Sequence, residues 1–256
     1  MLQALLHGKL SREQENMEDV LTSNVFGLLR YIPARDGLFP FLARAEGIDG
    51  SPPPLAHLLN DDLDFTVSAA DFDFWPFYDE PDCKPCEPDV VIRVRNPHGR
   101  DLLILVEAKY LSGKSSEASE TDQRPNDQLA REWDNLLRVA ERENANPFLI
   151  YLTGSLGIPV SEIEASIAEY RSKRKDDASS PAILALSWRH IPEVFQQSNN
   201  VILRDLSDMA ERFGFRYFHG FHLSSKHERW SWKFNPFPAR WTRFHQSPKV
   251  RWRFCP

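Results

Sequence analysis

Long apolar runs are missing from this chain of 256 residues; nothing approaches the roughly 20 consecutive apolar residues of a membrane-spanning helix. Met1 to Leu10 also lacks the order of charge, apolar stretch and cleavage site that marks a secretory signal. Together these absences set the expectation of a cytoplasmic protein with no membrane partner. Cysteine is scarce as well. Three residues, an odd number, argue against a disulfide framework. Cys83-Lys84-Pro85-Cys86 has the spacing of half a zinc site, but no second C-x-x-C follows and Cys255 stands alone. A zinc ion completed by His57 or His98 is therefore the lesser reading, and a tight turn delivering the chain to Asp89 the better one. There is no internal repeat, and Pro52-Pro53-Pro54 is the only clear local linker. What is present, 41% hydrophobic residues, is enough for one sizeable core and an appendage.

A formal net charge of −6 opposes nucleic-acid binding at first sight, but the charge is uneven. From Arg212 to Pro256 there are ten Lys plus Arg against the single acid Glu228, a balance of +9 that leaves −15 for the rest. That segment also holds thirteen of the thirty aromatics. Arg229, Lys233, Arg240, Arg243, Arg251 and Arg253 alternate with tryptophan and phenylalanine, as in Arg229-Trp230-Ser231-Trp232-Lys233 and Arg251-Trp252-Arg253-Phe254. Cations neutralise phosphates while aromatic faces stack on bases, which makes this a candidate DNA-contact element. Alternation also fits strands that bury the aromatics and solvate the bases. The expected organisation is a core over 1–211 and a basic, aromatic-rich segment over 212–256 packed on it. By contrast, Asn60 to Asp89 holds ten acids and only Lys84 as a base.

The chemistry concentrates around Asp89. Val90-Val91-Ile92-Arg93-Val94 is rich in β-branched residues, Asn96-Pro97-His98-Gly99 is turn chemistry, and Leu102 to Val106 is a second apolar run, so the three read as a hairpin. With the turn centred near His98-Gly99, residue numbers across the ladder sum to about 197, and Asp89 lands opposite roughly residue 108, within one register step. Glu107 and Lys109 then share one face while Ala108 turns away. Two neighbouring buried carboxylates are costly without a cation, and an all-oxygen donor set suits Mg²⁺ or Mn²⁺. Such an ion polarises a phosphate and acidifies a water, and a lysine alongside orients that water or stabilises developing charge. The plain alternative is a salt bridge between Glu107 and Lys109 at a strand end, with Asp89 capping a turn.

Helices flank this hairpin in the sequence. Ser11 is a candidate N-cap, with Gln14 three residues on, for a helix whose Met17, Val20, Leu21, Val25, Leu28 and Leu29 recur in phase up to Pro33. Glu18 falls on its apolar face. Downstream, Pro125 and Asn126-Asp127 open a helix carrying Leu129, Trp133, Leu136, Leu137 and Ala140, with Gln128 in its first turn. Ser112 to Asp127 is nearly devoid of apolar residues and reads as a mobile loop near the site. A strand over 147–153, a helix over 158–173, a strand over 182–188 and a late helix over 201–213 complete a βαβ pattern that favours parallel pairing.

Pro88-Asp89 and Glu107-Ala108-Lys109 resemble the signature of the PD-(D/E)XK nuclease superfamily, over the first two thirds of the chain. The resemblance implies an α/β restriction-endonuclease-like core, a mixed β-sheet flanked by helices on both sides, and Mg²⁺-dependent cleavage of DNA, less often RNA. By it, Asp89, Glu107, the Ala108 carbonyl and Glu18 would hold metal, with Glu15 in reserve, and Lys109 would serve the attacking water. The RecB-like branch carries Q-x-x-x-Y on the helix after the lysine strand. Gln128 matches the glutamine, but Glu132 stands at the tyrosine position. The implied partner is nucleic acid, DNA foremost, with a homodimer and an ATPase or helicase partner both open. The expected function is an endonuclease of restriction or anti-phage defence; an RNA-directed nuclease and a catalytically idle binding member of the fold are the alternatives.

Overall fold

The computed structural model describes residues 18–49, 54–60, 70–96, 99–110, 113–118, 123–175 and 181–216. A five-stranded mixed sheet is built in sequence order from β1 (Ala70–Phe74), β2 (Val90–Val94), β3 (Asp101–Ala108), β4 (Ala145–Thr153) and β5 (Ile183–Ser187). β1, β2 and β3 pair antiparallel, whereas β4 and β5 join parallel. The parallel joins each need a long crossover, supplied by α4 (Gln128–Glu143) between β3 and β4 and α5 (Val160–Lys173) between β4 and β5. This is an α/β architecture with helices on both faces. Central β3 is buried at every position but its first, the signature of a strand covered on both sides.

Strand alternation divides the core in two. Even-numbered residues such as Ile92, Ile104 and Ile150 pack with α1 (Glu18–Leu29), α2 (Leu38–Leu42), α3 (Pro54–Asn60), α6 (His190–Phe195) and α7 (Val201–Arg212). Odd-numbered Val91, Leu103, Leu105 and Leu149 pack against Leu129, Trp133 and Leu136 of α4 and Ile163 and Tyr170 of α5. α4 starts at Asp127, whose side chain accepts the Ala130 amide at 3.2 Å, and stops at Asn144 in the left-handed conformation, φ 53°, as a C-terminal cap requires.

The hairpin, both crossover helices and the late helix lie where the sequence pattern puts them, with ends displaced by a residue or two. Val90 pairs with Val106, one register step from the expected pairing. α2 and α6, of five and six residues, are too short for a periodic signal; Pro54 belongs to α3, while Pro52 and Pro53 lie outside the described residues. Phe213 and Phe215 pack on Tyr110, and Phe215 also stacks on Trp188, so the compact unit extends past residue 211. The candidate DNA-contact residues Arg229, Lys233, Arg240, Arg243, Arg251 and Arg253, and Glu15 on the N-terminal side, lie outside the described residues.

Candidate metal-dependent active site

Continuing the β2–β3 register by one step sets Asp89 directly opposite Glu107. Asp89, Glu107 and Lys109 share the odd-numbered face that looks toward α4, and all three are buried. The Ala108 amide donates to Asp89 Oδ2 at 2.8 Å, which fixes one carboxylate. Glu107 Oε1 accepts from Lys109 Nζ at 2.6 Å and also from Gln128 Nε2, which fixes the other. Gln128 is the first residue of α4, so the helix that crosses over from β3 brings its amide straight back to the strand end. Glu18, the first described residue of α1, lies on the opposite face and reaches over the strand end. Its Oε1 accepts from Lys109 Nζ at 3.3 Å and its Oε2 from the Tyr110 amide at 2.7 Å. The sequence-predicted Asp89, Glu107, Lys109, Glu18 and Gln128 are thus brought together around the Ala108 peptide.

Electrostatics sharpens the picture. Burial, reinforced by the facing Glu107 charge, raises the Asp89 carboxyl from the usual 3.8 to about 7, although the Ala108 amide and Lys109 pull the other way. Burial likewise raises Glu107, opposed by Lys109. For Lys109 burial disfavours the ammonium form, but the Glu107, Glu18 and Asp89 carboxylates outweigh it and hold its pKa above the ordinary lysine value. Lys109 is a fixed cation.

One residue escaped the sequence reading. Glu132, one turn after Gln128, is 1% exposed and lies against Glu107 and Gln128. Among the described residues its Oε2 has no hydrogen-bond partner. Burial and the adjacent Glu107 raise its pKa well above a normal glutamate. The signal was present in the sequence, because positions 129, 132, 133 and 136 form one helical stripe and Glu132 interrupts it.

Cys83 and Cys86 are buried free thiols, and burial, with Asp134 beside it, pushes the Cys83 thiol up to about 12. The turn reading holds: the Cys83 amide donates to the Glu80 carbonyl at 3.0 Å, and Tyr78 and Cys86 exchange backbone bonds of 2.8 and 2.9 Å. The loop expected to be mobile is tied down in its described parts, 113–118 and 123–127, through Lys114, Ser115, Ser116 and Asn126.

Among the described residues no three His, Cys, Asp or Glu side chains form a ready-made metal cage, since the Lys109 ammonium lies between Glu107 and Glu18. Mg²⁺, however, is ordinarily held by one or two carboxylates, with waters and phosphate oxygens completing its shell. Asp89 and Glu107 supply that number, all donors are oxygen, and the raised pKa values mark buried negative charge that a cation would relieve. The residues fit such an ion. No protein-family model, curated protein or solved structure matches the chain. The chemistry therefore rests on the site's own geometry.

Proposed function

We propose that the chain is a Mg²⁺- or Mn²⁺-dependent deoxyribonuclease with a restriction-endonuclease-like core of the PD-(D/E)XK type, cutting DNA internally in restriction or anti-phage defence. The observation that carries this reading is the Asp89–Glu107 apposition at the end of paired strands, with Lys109 and Gln128 both seated on Glu107. Asp89, Glu107 and the Ala108 carbonyl would hold the ion, which when bound polarises the scissile phosphate and acidifies a water. The chain's own groups do the rest. Lys109, its pKa raised by its carboxylate neighbours, orients water by donating to it and stabilises negative charge growing on the phosphate. Glu18 holds Lys109 over the strand end through its Oε1. Gln128 and the Ala108 amide lock the two carboxylates in place, which lowers the cost of reorganisation during the reaction.

A catalytically idle nucleic-acid or protein-binding member is the second reading, favoured by the Lys109 ammonium already neutralising Glu107 and Glu18. Purified protein incubated with supercoiled, linear and single-stranded DNA and with RNA, in Mg²⁺ or in chelator, separates the readings. Metal-dependent nicking of supercoiled DNA is the expected result; RNA cleavage alone moves the substrate, and binding without cleavage in any metal supports the idle member.

A further inference from the structure

Gln128 has two ends, and only one of them touches the site. Its Nε2 donates to Glu107, while its Oε1 accepts the Ser115 amide at 2.7 Å. An amide side chain can rotate by half a turn and present its oxygen instead. Against a carboxylate that would be repulsive, and a backbone N–H at the far end admits only the productive orientation. What holds Ser115 therefore decides which way Gln128 faces.

Lys114 holds it. Its side chain leaves a segment almost without apolar residues, where a lysine would ordinarily be solvated, and enters the space between α4 and α5. There its ammonium meets Asp127 Oδ2, the Glu162 carbonyl at 3.3 Å and Ser166 Oγ at 3.2 Å. The side chains of Lys114 and Asp127 are 9% and 1% exposed. Ser116 reinforces the attachment: its carbonyl accepts the Gln128 amide at 3.2 Å and its hydroxyl donates to the Asn126 carbonyl at 2.8 Å. From α5, Glu169 takes the Asn126 and Asp127 amides at 3.2 and 2.7 Å. A buried ion pair contributes little net stability for the desolvation it requires, and its best-attested use is to fix one arrangement among several.

We propose that residues 113–118 form a clasp on the first turn of α4 and that Lys114 is its anchor, a positioning residue acting on Glu107 through Ser115 and Gln128. The inference rests on the nuclease reading only in treating Glu107 as a metal ligand. Lys114 touches no reacting atom. Partners of this kind are worth about 10–100-fold in metal affinity or activity.

The test uses Lys114→Met combined with Asp127→Asn, which removes both members of the buried pair, leaves no unpaired charge and keeps a good N-cap. Mn²⁺ affinity by calorimetry and kcat and KM on supercoiled DNA are measured on this variant, on Gln128→Ala and on all three changes together, and hydrogen exchange of the Gln128 side-chain amide on this variant and the unaltered protein. Expected are a melting temperature near that of the unaltered protein, an affinity loss of about tenfold matching that of Gln128→Ala, faster Gln128 amide exchange, and no further loss in the triple variant. The drop in turnover should fall on kcat, with KM little changed. Ser115→Pro, which deletes the amide donor and leaves the ion pair, should reproduce the same affinity loss. Full affinity in the charge-pair variant, or losses that add to those of Gln128→Ala, would overturn the clasp. If the unaltered protein neither binds Mn²⁺ nor cuts DNA, the nuclease reading is what fails, and the Gln128 exchange rate still decides the clasp.

Discussion

Asp89 carries the clearest consequence at the scale of single residues. Its carboxyl binds a proton more tightly in the folded chain, near 7, than in an unfolded one, near 3.8. The stabilisation this gives the metal-free protein is complete below about pH 4 and is lost as pH rises through about 7. In chelator, melting should thus be higher at pH 5 than at pH 8, and Asp89→Asn should remove most of that difference and raise the melting point at pH 8. One kcal/mol moves the midpoint of a chain this size by about 2–4 °C, which scanning calorimetry resolves; an unchanged pH dependence in the variant would mean Asp89 is solvated. Protons also compete with metal, so Mn²⁺ affinity should weaken below pH 7. Asp89→Asn, Glu107→Gln and Lys109→Ala should each abolish cleavage, because residues acting as a unit lose most of the rate together; substantial turnover in either carboxylate variant would move the site. Glu132 offers a sharper discrimination. Buried against Glu107 with its pKa raised, it should tolerate Glu132→Gln with cleavage retained and stability within about 1 kcal/mol. A large loss of Mn²⁺ affinity in that variant would instead show that Glu132 ionises when metal binds.

At the scale of elements, the first turn of α4 does two jobs, and one substitution exposes both. Asp127 caps the helix through Ala130 and pairs with the buried Lys114. Loss of a cap alone costs about 1 kcal/mol, whereas stranding a buried cation costs roughly 3–5 kcal/mol. Asp127→Ala should fall in the larger range by urea unfolding; a cost of only the cap would place the Lys114 ammonium in solvent. α1 shows the same economy. Its Glu18 both takes the Tyr110 amide and crosses to Lys109. The sequence marked Glu18 as out of place on an apolar face, and the reason is that this end of the face meets the strand end.

For the whole molecule, the split of charge remains the guide to substrate handling. Neutralising Arg240, Arg243, Arg251 and Arg253 together should weaken DNA binding and flatten its salt dependence, by up to about four units of slope if each contacts a phosphate. Fluorescence anisotropy across a salt series measures it, and an unaltered slope would put the DNA surface on the described unit.

Local pattern was sufficient for the sheet. β-branched runs, a turn and strand alternation are short-range properties, so the hairpin, the crossovers and the shared face of Glu107 and Lys109 follow from residues within a few positions of one another. Helical phase likewise placed Glu18 and Gln128 correctly on their helices. What the sequence determined was which groups lie at the same end of the molecule. Only the tertiary structure decided which touch: that Lys109 is shared between Glu107 and Glu18, that the Ser115 amide meets Gln128, and that Glu132 is buried against Glu107. Those outcomes depend on packing between elements far apart in the chain, and on burial that alters charge and orientation by amounts no local pattern encodes.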